Sequence, residues 1–143
     1  MADYTEENNM ERGRLIHLLA GLTEENLRKE LPNGWTIADA LAHLAFWDSF
    51  AVVMLHEWTK SGFKPTNEPY NAINQVVDAM ARMIPASDLL QWVRDSAEAA
   101  DYAAESTSPK LAAEIRAGER SNFLSRYLHR SHHLDQIEEL LRA

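Results

Sequence analysis

The stretch Tyr127-Leu128-His129-Arg130-Ser131-His132-His133-Leu134-Asp135-Gln136-Ile137 decides the fold class. At about 100° per residue, Phe123, Tyr127, Leu134, Ile137 and Leu141 fall on one apolar stripe, which predicts a final helix over about Arg120 to Leu141. His129 and His133 flank that stripe a single turn apart, so both imidazoles can address one point. His132 turns roughly 100° away from His133 and is expected at the surface or as an outer neighbour. A π-bulge in the helix is the distortion that would put it in the place of His129.

Working outward, the same spacing governs nearly all of the 143 residues, which carry only 5 glycines and 5 prolines. A first helix is expected from about Thr5 to Ala20, with Met10, Leu15, Ile16, Leu19 and Leu22 on its stripe. Thr23 reads as the cap of a short helix that ends before the turn Pro32-Asn33-Gly34. Thr36, paired with Asp39 in a capping box, opens a second long helix to about Lys60, with Ile37, Leu41, Leu44, Ala51 and Leu55 on its stripe. Residues 61–69 form the longest loop signal; helices follow over about Tyr70 to Ile84 and, capped at Ser87 or a neighbour, to about Glu105. Ser106-Thr107-Ser108-Pro109 is a second break, and no strand alternation or internal repeat occurs. The expectation is an all-α chain, one domain over 1–143, folded as an up-down-type four-helix bundle with short extra helices.

Composition excludes several roles. A net charge of −8, with scattered arginines, opposes binding to nucleic-acid backbones and anionic lipid. The longest apolar run, Leu41 to Trp47, is too short for a membrane span and contains His43. The acidic start Met1-Ala2-Asp3-Tyr4-Thr5-Glu6-Glu7 lacks the pattern of a secretory signal, and there is no cysteine for a disulfide or a thiolate. The expectation is a cytoplasmic protein without nucleic-acid or membrane partners.

His43 sits at the edge of its helix's stripe, one turn before Trp47. Two helices that each place histidine at the core margin are what a three-ligand site between facing helices requires. His43, His129 and His133 are therefore the candidate metal ligands; core-edge or surface histidines are the alternative reading. Three neutral imidazoles with waters suit zinc, nickel, iron or copper. His17 and His56 fall away from their stripes and are expected to be exposed. Asp48 lands in the apolar sector and must be paired, either to a ligand imidazole or to an arginine in the core. Gln136, three residues after His133, is either a partner of that imidazole or an ordinary helix residue. Trp35 reads as a plug at the helix start, and Trp47 as part of a pocket wall. Metalloprotease, di-iron, phosphate-loop and nucleophile-elbow patterns do not occur.

The segment Gly34-Trp35-Thr36-Ile37-Ala38-Asp39-Ala40-Leu41-Ala42-His43-Leu44-Ala45-Phe46-Trp47-Asp48 resembles the opening of the second helix in the DinB-like superfamily, and His129-x3-His133-Leu134-Asp135-Gln136-Ile137 resembles its C-terminal metal motif. Tyr70-Asn71-Ala72-Ile73-Asn74-Gln75-Val76-Val77 is similar to the corresponding segment of relatives near the maleylpyruvate isomerase N-terminal domain. The resemblance covers about residues 8 to 142. It implies a four-helix bundle of the DinB-like metalloenzyme type, one zinc or nickel ion on His43, His129 and His133, and frequent homodimers. Thiol-dependent members carry a glutamate where His129 stands here. The function expected is a metal-dependent hydrolase or a low-molecular-weight-thiol-dependent transferase or isomerase acting on a small-molecule substrate. Asp48 and His132 are the candidates for orienting ligands or moving protons. The alternatives are a metal- or small-molecule-binding stress protein without catalysis and a bundle whose histidines bind nothing.

Overall fold

Capping decides where most of the helices begin. The computed structural model describes residues 3–143; Met1 and Ala2, which open the acidic N-terminal stretch, lie outside the described residues. The helices are α1 (Asp3–Gly21), α2 (Glu24–Leu27), α3 (Ile37–Ser61), α4 (Tyr70–Ala81), α5 (Ala86–Glu105), α6 (Pro109–Ala117) and α7 (Arg126–Arg142). Among the described residues the extended pairing is one isolated bridge between Glu30 and Thr36. Thr36 Oγ1 accepts from the Asp39 N–H at 3.1 Å, and the Asp39 carboxylate accepts from the Thr36 N–H at 3.0 Å. Thr23 and Asn26 make the same reciprocal pair at the start of α2.

Four boundaries depart from the sequence reading. α4 stops at Ala81 and tightens into a turn through Ile84, because the residue before Pro85 is driven from the helical region. Pro85 itself stands at the cap position of α5, so Ser87 lies inside the first turn and caps nothing. α6 was not expected; Ser108 caps it through Leu111 N–H and Pro109 occupies its first turn, a local signal the break had hidden. α7 begins at Arg126 instead of Arg120: Glu119 adopts a left-handed conformation (φ 59°) and Ser121–Phe123 form a single 3₁₀ turn.

The start of α7 is capped from another helix. Asn8 of α1 accepts from the Tyr127 N–H at 2.9 Å and donates to the Leu124 carbonyl at 2.8 Å. This fixes the rotation of α1. Its buried face runs through Tyr4, Thr5, Asn8, Leu15 and Leu19, while the expected stripe members Met10 and Ile16 are exposed.

The bundle proper consists of α1, α3, α5 and α7. α3 packs chiefly on α5, α1 packs on α7 and α5, and α4 lies along α3. By length and composition α3 is apolar enough to cross a membrane, which the run from Leu41 to Trp47 had not suggested; most of it is buried inside the protein, as a core helix is. The core divides into two apolar clusters. One gathers Leu15, Leu19, Ile37, Leu41, Leu89, Val93, Leu134 and Ile137; the other Tyr4, Leu55, Trp58, Ile115, Phe123 and Leu124.

A layer of charge lies between these clusters along the helices. Arg130, 1% exposed, donates through both terminal nitrogens to Asp101, each at 3.0 Å, and to Asp48 at 3.4 Å. Arg126 Nε donates to Asp48 at 2.8 Å and its Nη1 to the Asn122 carbonyl at 2.9 Å. Arg12 reaches Asp101 from the rim at 2.7 Å. Burial works against the Arg130 charge, but Asp48 and Asp101 more than offset it and raise its pKa. The buried face of α7 therefore carries Arg126 and Arg130 beside His133, Leu134 and Ile137, whereas Tyr127, expected on it, is half-buried.

Candidate metal centre

Three histidines meet where α3 passes α7. His43 is set by the capped start of α3, and His129 and His133 occupy adjacent turns of α7. Their ring centroids form a near-equilateral triangle: 4.8 Å from His43 to His129, 5.0 Å from His43 to His133, and 4.8 Å from His129 to His133. The Nε2 atoms of His43 and His129 stand 2.9 Å apart. One nitrogen from each ring falls within 4.8 Å of the others, which is the grouping a metal ion requires.

The donor set suits a divalent ion. His133 Nδ1–H donates to Gln136 Oε1 at 3.1 Å, which leaves its Nε2 lone pair for another use. His43 Nδ1 is buried with no hydrogen-bond partner, a cost the protein folds in spite of. Burial, with His133 nearby, lowers the His43 pKa to about 4. Burial and the Arg126 guanidinium lower that of His129 to about 2, and burial lowers that of His133. All three are thus neutral near pH 7, the form that binds a metal. Nitrogens sharing one tetrahedral zinc stand about 3.3 Å apart, so three imidazoles with a fourth position for solvent fit here.

The surroundings divide the remaining candidates. Asp48 is buried, and its two oxygens are taken by Arg126 and Arg130, so of its two expected partners it has the arginines. His132 is exposed, its ring 5.1 Å from that of His133, and α7 is a regular helix there, without a π-bulge. His17 and His56 are exposed as expected. Trp35 does more than plug the helix start: its ring lies 4.9 Å from His43 and 6.1 Å, nearly parallel, from His133, covering one side of the cluster.

On another side opens a recess of about 240 Å³, lined by His43, His129, Trp47, Phe50, Tyr70, Asn74, Asn122, Phe123 and Arg126. Of these, the sequence reading found His43 and His129 as candidate ligands and Trp47 as a wall. Arg126, one turn before His129, and Asn74, in the segment after the long loop, had signals by position but none by residue type.

A family model described as the mycothiol maleylpyruvate isomerase N-terminal domain matches residues 10–129. The match takes in His43 and His129 and ends four residues short of His133. No curated protein and no solved structure matches the chain.

Proposed function

The chain belongs to the family of the mycothiol maleylpyruvate isomerase N-terminal domain, and from that premise we propose that it is a metal-dependent enzyme acting on a small molecule, with His43, His129 and His133 holding one divalent ion. The observation that carries this reading is the convergence of three neutral imidazoles beside a recess. Zinc or nickel is the favoured ion and iron the third choice, because imidazole suits all three. Such an ion would supply Lewis acidity, bringing the pKa of a coordinated water or thiol toward neutrality.

The chain's own residues define the rest. Gln136 holds the His133 ring by its Nδ1–H, and Trp35 shields the cluster. Asp48 acts on the site indirectly, by holding Arg126, which lines the recess. His132 faces solvent and serves as an outer contact of His133. Hydrolysis is the first reaction class, since water needs no further binding site and His129 stands where thiol-dependent relatives carry glutamate. Transfer or isomerisation with a low-molecular-weight thiol is the second, favoured by the family description; the bulk of such a thiol would lie outside a recess of 240 Å³. A cytoplasmic homodimer completes the reading, to be checked by sedimentation.

The test is elemental analysis of untagged protein, wild type and His133→Ala in parallel. About one zinc, nickel or iron per chain, lost in the variant, is expected. No metal in either, even after reconstitution, would sink the metalloenzyme reading. Metal retained with no turnover, in protein screened against esters and thiols, would instead favour a binding protein.

A further inference from the structure

The recess has a built chemical preference. Four aromatic rings form its walls: Trp47 lies 5.3 Å from Phe50 and 5.1 Å from Tyr70, and Phe50 lies 6.0 Å from Phe123. Its volume of about 240 Å³ is that of about eight waters at roughly 30 Å³ each, room for a molecule of roughly ten non-hydrogen atoms. Rings at these separations favour a flat, apolar guest.

One polar group in that wall is oriented without ambiguity. The Trp47 indole N–H is a donor only, and it meets Asn74 Oδ1 at 2.9 Å. The amide oxygen is therefore committed, and the NH2 is left as the donor. Asn74 lines the recess and is hydrogen-bonded also to His43, a bond that favours the protonated ring and so again uses the amide oxygen as acceptor. Arg126, also in the lining, is held at Nε by Asp48 and at Nη1 by the Asn122 carbonyl, while its Nη2 is buried without a partner and is the competing donor that the benzoate probe below tests.

We propose that this recess receives a small, flat, largely apolar carbonyl compound, an aryl ketone, ester or amide, whose carbonyl oxygen accepts from Asn74 Nδ2 beside the histidine centre. The proposal rests on the reading that the recess serves that centre. Asn74 is then the residue that selects a carbonyl over a hydrocarbon of equal shape, and Trp47 is the residue that aims it.

The probes are acetophenone and ethylbenzene, titrated into zinc-loaded and metal-free protein while the Asn74 side-chain NH2 and Trp47 indole resonances are followed by ¹⁵N–¹H NMR. Acetophenone is expected to shift the Asn74 NH2 signals and ethylbenzene to leave them in place. Asn74→Leu should weaken acetophenone about tenfold and ethylbenzene less than twofold, which also shows that the recess has folded. Trp47→Phe, which keeps a ring and loses the N–H, should weaken acetophenone selectively by a smaller factor. Equal losses for both probes, shifts confined to other residues, or no binding at millimolar concentration would overturn the proposal. So would benzoate binding more tightly than acetophenone, which would assign the recess to an anion on Arg126. Zinc content of the same samples separates the two readings: zinc without probe binding sinks the carbonyl site alone, and probe binding without zinc sinks the metal centre alone.

Discussion

Two buried polar clusters sit within two turns of each other on α7 and follow opposite rules. In the ionic layer, Arg126 and Arg130 meet Asp48 and Asp101, and most donors and acceptors are matched inside the protein. In the histidine cluster the rings approach edge to edge and burial strips all three of charge; orphaned atoms occur in both clusters, His43 Nδ1 in this one and Arg126 Nη2 and Arg130 Nε in the other. Opposite charges buried together hold each other in place. Neutral imidazoles brought to one point without a counter-charge do little for one another and suit a cation that comes from outside.

Removing one member of each cluster should give effects of opposite sign. Arg130→Ala leaves two carboxylates buried and is expected to cost about 3–5 kcal/mol, read as a lower urea midpoint. His43→Leu in metal-free protein is expected to be neutral or stabilising by about 1 kcal/mol, because it deletes an orphaned polar atom. A large loss in both variants would erase the distinction.

Adding zinc sharpens the comparison. At a free concentration 100 times its dissociation constant it should stabilise wild type by about 2.7 kcal/mol and leave His43→Leu unmoved, read as a shift in Tm. Gln136→Leu should weaken zinc binding by about tenfold, about 1.4 kcal/mol, without moving the midpoint of the metal-free protein by more than a few tenths.

The response to acid tests the same contrast without a substitution. The folded pKa values of His43 and His129, about 4 and about 2, lie below the ordinary 6.5, so the unfolded chain binds more protons once the pH falls below about 6.5. Stability of the metal-free protein should therefore hold above that pH and fall below it, by at most about 1.4 kcal/mol per pH unit for each histidine. Saturating zinc should move this loss to lower pH, and His43→Leu should reduce its slope. Denaturation curves between pH 7.5 and 5 would show both.

What the sequence disclosed was local. Thr23, Thr36 and Asp39 cap as read because each partner lies three residues away, and the His129–His133 pairing follows from one helical turn. What it concealed was long-range. The cap of α7 is Asn8, more than a hundred residues distant, so the helix start could not be read from its neighbours. Asn8 also turned α1 so that Met10 and Ile16 face solvent, against the apolar pattern. Two arginines in the core contradict their usual place and are legible only beside Asp48 and Asp101. The three-histidine cluster was legible because both helices announce their edges; the recess was not, because its walls come from four separate segments.

The ionic layer also works as a ruler. Arg126 and Arg130 stand one turn apart, about 5.4 Å, so sliding α7 by a turn along α3 would bring one of them to where the other stood and leave Asp48 with one guanidinium instead of two. The observed alignment is the one that pairs both arginines with Asp48 and Asp101 together. That alignment is the one at which His43 comes level with His129 and His133. The histidine triangle is thereby brought into register by charged groups that make no hydrogen bond to an imidazole.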